Sequence, residues 1–128
     1  MRVIAIVVMV LGVLALVLGV IGVTQASSAE AKVAAEIQPL KLSEVDSKYE
    51  AVKKSHNTMR AAEEPNIQAG KAAPSDMYNY LSIQRTSLGL TRTNIGLAAF
   101  IRMNGILNVI IGLGFILAGY GLFAKSKT

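Results

Sequence analysis

The apolar positions of this chain fall into two dense blocks separated by a polar middle. Val3 to Val23 (VIAIVVMVLGVLALVLGVIGV) runs for 21 residues without a charged or polar side chain. Met103 to Phe123 is nearly as apolar, interrupted only by Asn104, Asn108 and Tyr120, and it stops at Lys125-Ser126-Lys127. At about 1.5 Å per helical residue, each block reaches roughly 30 Å, the thickness of a bilayer's hydrocarbon core. Apolar residues gathered in two blocks, rather than distributed in stripes, predict membrane helices and not a soluble core.

Between the blocks the pattern changes to helices with one apolar face. Ala26 to Gln38 (ASSAEAKVAAEIQ) is rich in Ala, Glu and Lys and meets no breaker before Pro39, so the first helix is expected to continue to about residue 37. Ser43-Glu44-Val45-Asp46 reads as a helix start with a Ser cap. Val45, Tyr49, Val52, His56 and Met59 then follow at spacings of three and four, which predicts one packing seam in the head. Glu44–Lys48 and Glu50–Lys54 are expected as i,i+4 pairs on the solvated side, and Pro65 is expected to end this helix near Glu63. Pro65 to Pro74 reads as a loop. Ser75 caps a last helix with Asp76 in its first turn, and no proline interrupts it as far as Phe123. Along it, Asn79, Ser82, Thr86, Gly89, Thr93 and Gly96 form a small polar stripe, expected to pack against Ala26–Gln38 or a neighbouring copy. Leu81, Leu88 and Ile95 form a separate apolar stripe.

The predicted fold class is therefore an all-α membrane protein, with two transmembrane helices in an antiparallel hairpin extended into a small extracytoplasmic helical head. Residues 1–25 form the first transmembrane helix and 26–102 the helical region, with helices near 26–38, 43–63 and 76–102. Residues 103–124 form the second transmembrane helix and 125–128 a cytoplasmic tail.

Glycine costs about 1 kcal/mol against Ala inside a helix in water, yet the second block carries it at 105, 112 and 119. In lipid the helix backbone bonds to itself whatever the side chain, and glycine provides a flat surface for a close neighbour. A step of seven returns to nearly the same face, so Gly105, Gly112 and Gly119 form one groove. Ala5, Gly12 and Gly19 form a matching stripe in the first block, supplemented by Ala15 and Gly22. The expected helix-packing interface joins these stripes, while Gly114 and Gly121, about 160° away around the helix, offer a second face for another subunit. Asn104 and Asn108 are the amides at depth and are expected to bond between helices.

Charge adds orientation rather than chemistry. The chain has 13 Lys and Arg, 8 Asp and Glu and a net charge of +5, mixed in sign through the middle rather than gathered in a basic stripe, so no nucleic-acid partner is expected. Arg2, Lys125 and Lys127 flank the apolar blocks, which predicts both termini in the cytoplasm, residues 26–102 outside it, and residence in the plasma membrane. Arg102 is expected at the outer interface, snorkelling to phosphate head groups, while Arg85 and Arg92 are weighed evenly between solvation and pairing with acids of another helix or subunit.

The chain has no cysteine and a single histidine, His56, within the apolar seam, where a structural role is expected. Glu63 and Glu64 at a helix end read as solvated. No nucleotide-binding, zinc-hydrolase or serine-nucleophile motif occurs, so no catalytic residue, metal, cofactor or small-molecule substrate is expected. The function expected is a non-enzymatic integral membrane scaffolding subunit, partnered by the lipid bilayer and by copies of itself or a larger membrane complex. An oligomeric pore or lysis-type channel is one alternative. A single-span protein, cleaved after its first block among the small residues of Thr24–Ala31 and presenting a partner-binding helical head, is the other.

Overall fold

The computed structural model describes residues 2–126 and consists of helices. They are α1 (Arg2–Glu36), a 3-10 turn (Leu42–Glu44), α2 (Val45–Gln68) and α3 (Asp76–Lys125), with no strand among the described residues. Lys127, assigned above to the tail, lies outside them, as do Met1 and Thr128. Both α1 and α3 are long and apolar enough to cross a membrane. The chain divides into two compact units, Met1–Ala31 with Leu97–Thr128, and Lys32–Gly96.

In the first unit, α1 and α3 pack antiparallel through their smallest residues. Within this unit, Ala5, Gly12, Gly19 and Ala26 are the buried positions of α1, and Ala98, Gly105, Gly112 and Gly119 those of α3. The large apolar side chains face outward: Val3 is 75% exposed, Leu18 62%, Ile110 60% and Leu117 71%. A water-soluble helix pair has the opposite arrangement, with Leu, Ile and Val between the helices and small or polar residues outside.

In the second unit, backbone chemistry at the helix ends sets the boundaries. α1 stops at Glu36, and Ile37 N–H to Val33 O (3.2 Å) with Leu40 N–H to Ile37 O (2.9 Å) rounds off the turn that follows. Ser43 is not the cap expected from its sequence. A helical turn has already begun at Leu42, and Lys41 and Glu44 close it reciprocally: Glu44 N–H donates to Lys41 O (2.9 Å) and Lys41 N–H to Glu44 Oε2 (3.0 Å). That use of Glu44 replaces the expected Glu44–Lys48 pair. Glu50 likewise pairs with Lys53 at 3.1 Å and lies 3.7 Å from Arg92, rather than pairing with Lys54.

Pro65 does not end α2, which continues to Gln68. Proline lacks one N–H and disturbs the turn before it, but its carbonyl still accepts, here from Ala69 N–H at 3.2 Å. The stop is Gly70. At φ +67° it adopts the left-handed conformation, Gly70 N–H donates to Ile67 O (3.0 Å), and Lys71 N–H donates to Asn66 O (2.9 Å). This pair of backward bonds satisfies the carbonyls left open at a helix C-terminus, and glycine adopts the conformation they need without a Cβ penalty.

Ser75 caps α3: Tyr78 N–H donates to Ser75 Oγ at 3.1 Å, and Asn79 N–H to Ser75 O at 3.0 Å. The cap is itself held by α2, because Ser75 Oγ–H and Ser75 N–H donate to the two oxygens of Glu63, at 2.6 and 3.0 Å. Glu63 is therefore not merely solvated. From Asp76 onward α3 runs unbroken past Gly89 and Gly96.

Candidate functional site

The contact between α1 and α3 is built from backbone. A Cβ placed on Gly12 would lie 2.7 Å from Gly112 O, and one on Gly112 would lie 2.6 Å from Gly12 O. Gly19 and Gly105 repeat the arrangement, with 2.6 Å from Gly19 to Gly105 O and 2.7 Å from Gly105 to Gly19 O. Real Cβ atoms do not approach an oxygen this closely, so any side chain at these four positions forces the helices apart. The next step of seven pairs Gly119 with Ala5, whose carbonyl oxygen would lie 2.9 Å from a Gly119 Cβ. Gly22 sits beside the seam, its Cβ position 3.4 Å from Gly105 Cα. Such proximity accumulates dispersion and weak Cα–H···O contacts, each of the latter worth about 0.5–1 kcal/mol.

Gly114 and Gly121 behave differently. Nothing lies within 4 Å of a Cβ built on either, so both are open positions on another face of α3. Asn104 and Asn108 are half-buried, and neither side chain has a hydrogen-bond partner among the described residues. The expected interhelical bonds are thus not made within the chain. The facing part of α1, Ala15 to Val23, has no polar side chain, and Thr24 beyond it spends its hydroxyl on its own helix, 3.1 Å from Val20 O and 2.9 Å from Ile21 O.

The seam's register continues beyond the glycines named from sequence. Ala26 is 0% exposed and Ala98 1%, each one step of seven past Gly19 and Gly105. Carrying the same heptad onward finds both. Arg102, expected at lipid head groups, instead pairs with Glu30 of α1, an acid the neighbouring helix brings within reach.

In the second unit, the seam expected on α2 divides by depth. Val45, Val52 and His56 are buried, whereas Tyr49 and Met59 are half-buried. Arg85 Nη1 lies 3.0 Å from His56 Nδ1. Guanidinium only donates, so Nδ1 accepts and the ring proton sits on Nε2. Nε2 then donates to Ser82 Oγ (2.9 Å), and Ser82 Oγ–H donates to Tyr78 O (2.9 Å). The Tyr78 ring covers the imidazole, tilted 48° with centroids 5.5 Å apart. Every polar atom of the buried ring is satisfied. The ring donates to the serine instead of withdrawing its proton, the reverse of a nucleophile–base pair.

The polar stripe of α3 faces α2, not the extension of α1. Ser82, Thr86, Gly89 and Thr93 line one groove of about 640 Å³ with Tyr49 and His56, and a Cβ on Gly89 would touch the Tyr49 ring at 3.5 Å. The end of α1 instead shares a hollow with Leu88, through Ile37 and Leu40. A polar stripe turns to α2 because α2 carries the histidine that needs its hydroxyl. Arg92 bonds Asp46 at 2.7 Å and lies 5.4 Å from the Tyr49 ring centroid, joining α3 to α2 at an exposed site. Arg60 binds Glu64 through two bonds of 2.5 and 3.0 Å, which hold the Glu64 carboxyl below its ordinary range. No group of three or more His, Asp or Glu able to hold a metal ion occurs among the described residues.

Compared with known proteins, the chain matches no family model, no curated protein and no solved structure.

Proposed function

We propose that this protein is a non-enzymatic integral membrane subunit that closes its two spans into a hairpin and assembles laterally through the outer face of α3. One observation carries the reading: small residues are buried between α1 and α3 while Val, Leu and Ile cover the outside of both. Such a surface is stable against lipid and costly against water. The first small-residue face is consumed within the chain. The assembly surface is then the open one, with Gly114 and Gly121 free of contacts. Asn104 and Asn108, on other faces of α3, favour a further helix neighbour as well, since an amide without a partner in hydrocarbon gains about 0.6–2 kcal/mol by bonding to another helix. The occupant is a second copy of this chain, in the plasma membrane with both termini cytoplasmic.

The test separates the two glycine faces. Reconstituted Gly114→Leu protein is expected to lose oligomers in mild detergent and lipid nanodiscs while keeping its helical content and its resistance to alkaline extraction. An unchanged oligomer size would exclude assembly through that face. Release of the wild-type chain by alkali as a soluble particle would exclude the membrane reading altogether.

A further inference from the structure

We infer that the groove between α2 and α3 is a binding site for a phosphate group, held by the guanidinium of Arg85. Arginine has five N–H groups. Arg85 spends its Nη1 on His56 Nδ1 at 3.0 Å and on Asn57 Oδ1 at 3.2 Å. Its Nε and Nη2 have no acceptor among the described residues, and these two form the side-on fork that binds an oxyanion through parallel bonds.

The charge around Arg85 leads to the same place. The other groove arginine, Arg60, is neutralised by Glu64, and the arginines further along α3 meet acids, Arg92 at Asp46 and Arg102 at Glu30. Arg85 is half-buried beside a neutral imidazole, with no acid in salt-bridge range among the described residues. The groove lining thus holds two guanidiniums against one carboxylate and lacks one negative charge.

The remaining groups select the ligand. Thr86 and Thr93 donate their hydroxyls to their own helix, at 2.9 Å to Ser82 O and 3.0 Å to Gly89 O, and so offer an anion nothing. Tyr49 and Tyr78 also line the groove, and their phenolic hydroxyls have no partner among the described residues. The fork takes two oxygens in parallel, and the groove's one uncompensated positive charge favours an oxyanion such as phosphate. The groove, at about 640 Å³, has room for a phosphate with a substituent. Free phosphate and a lipid headgroup share this chemistry.

The experiment follows the Arg85 Nε–H resonance in the full chain in detergent, labelled with 15N-arginine, during titration with inorganic phosphate and separately with a short-chain phosphatidic acid. A saturable shift of that resonance is expected. Calorimetry on Arg85→Lys, with helicity checked by circular dichroism, should show binding about tenfold weaker, because the charge remains and one bond of the fork is lost. Saturation by both probes assigns the site to the phosphate group itself, and saturation by the lipid alone assigns it to a headgroup. The proposal is overturned if neither probe saturates, if chloride at equal ionic strength gives the same shift, or if Arg85→Lys binds as tightly. Should Arg85→Lys fail to fold, the wild-type titration decides alone.

Discussion

The seam between α1 and α3 and the contacts between α2 and α3 join helices by opposite means. At Gly12 and Gly112 the joint depends on side chains that are missing, with each carbonyl occupying the place of the facing Cβ. Around His56 it depends on side chains that are present, with an arginine, a serine and a tyrosine satisfying one buried ring. The proposed membrane setting of the first joint accounts for the difference. In hydrocarbon there is no hydrophobic gain from hiding Leu, so closeness of approach is what remains to be optimised. In water, burial of a polar ring is tolerated only when its nitrogens are bonded.

The largest effect is expected where a side chain enters the seam. Gly112→Leu should cost more than about 3 kcal/mol of hairpin stability, and Gly112→Ala about 1–3 kcal/mol, from overpacking against backbone that cannot yield. Gly114→Ala should be neutral or stabilising by up to about 1 kcal/mol, as helix propensity alone predicts. Reversible unfolding of each variant in detergent checks this. Equal effects at 112 and 114 would erase the distinction between the two faces.

In the polar joint, His56→Ala should cost about 2–3 kcal/mol, since it takes one acceptor from Arg85 and one donor from Ser82 in a half-buried site. Thermal unfolding followed by far-ultraviolet circular dichroism measures it. A loss no greater than that of Met59→Ala would show the network to be incidental.

The smallest effect concerns the clasp on the α3 cap. The Ser75 hydroxyl, and then its N–H, hold the Glu63 carboxyl below its ordinary range. Its folded pKa is lowered, so the clasp contributes fully above the ordinary carboxylate range and is lost as pH falls through the lower folded value. Protection of the Ser75 and Tyr78 amides against exchange, relative to the intrinsic rate at each pH, should fall in acid in the wild type and depend less on pH in Glu63→Gln. Identical acid profiles would remove Glu63 from the account.

What was legible in the sequence also differs between the two regions. The two long apolar helices and their small-residue stripes follow from local pattern alone, and Ala5, Gly12 and Gly19 can be named because a step of seven is a local property. The direction of the polar stripe is not local. Ser82 and Thr86 turn toward α2 because His56 lies there, and no spacing within α3 reports that. The end of α2 is not legible for a different reason: Pro65 is the conspicuous breaker, but Gly70, which can take a positive φ, makes the stop. The pairing of Arg102 with Glu30 and of Ser75 with Glu63 depends on how far apart in sequence two helices meet.

The central claim is a hairpin closed in lipid through glycine backbone at a fixed register, and distances between spin labels test it most directly. The chain has no cysteine, so pairs can be introduced at the exposed positions Leu11 and Leu113, Leu18 and Ile106, and the mismatched Leu11 and Ile106. In bilayers, with labelled protein diluted by unlabelled, the first two pairs should give matching short distances. The mismatched pair should be longer, by an offset along the helices of about 10 Å. Matched pairs no closer than the mismatched one would contradict the account.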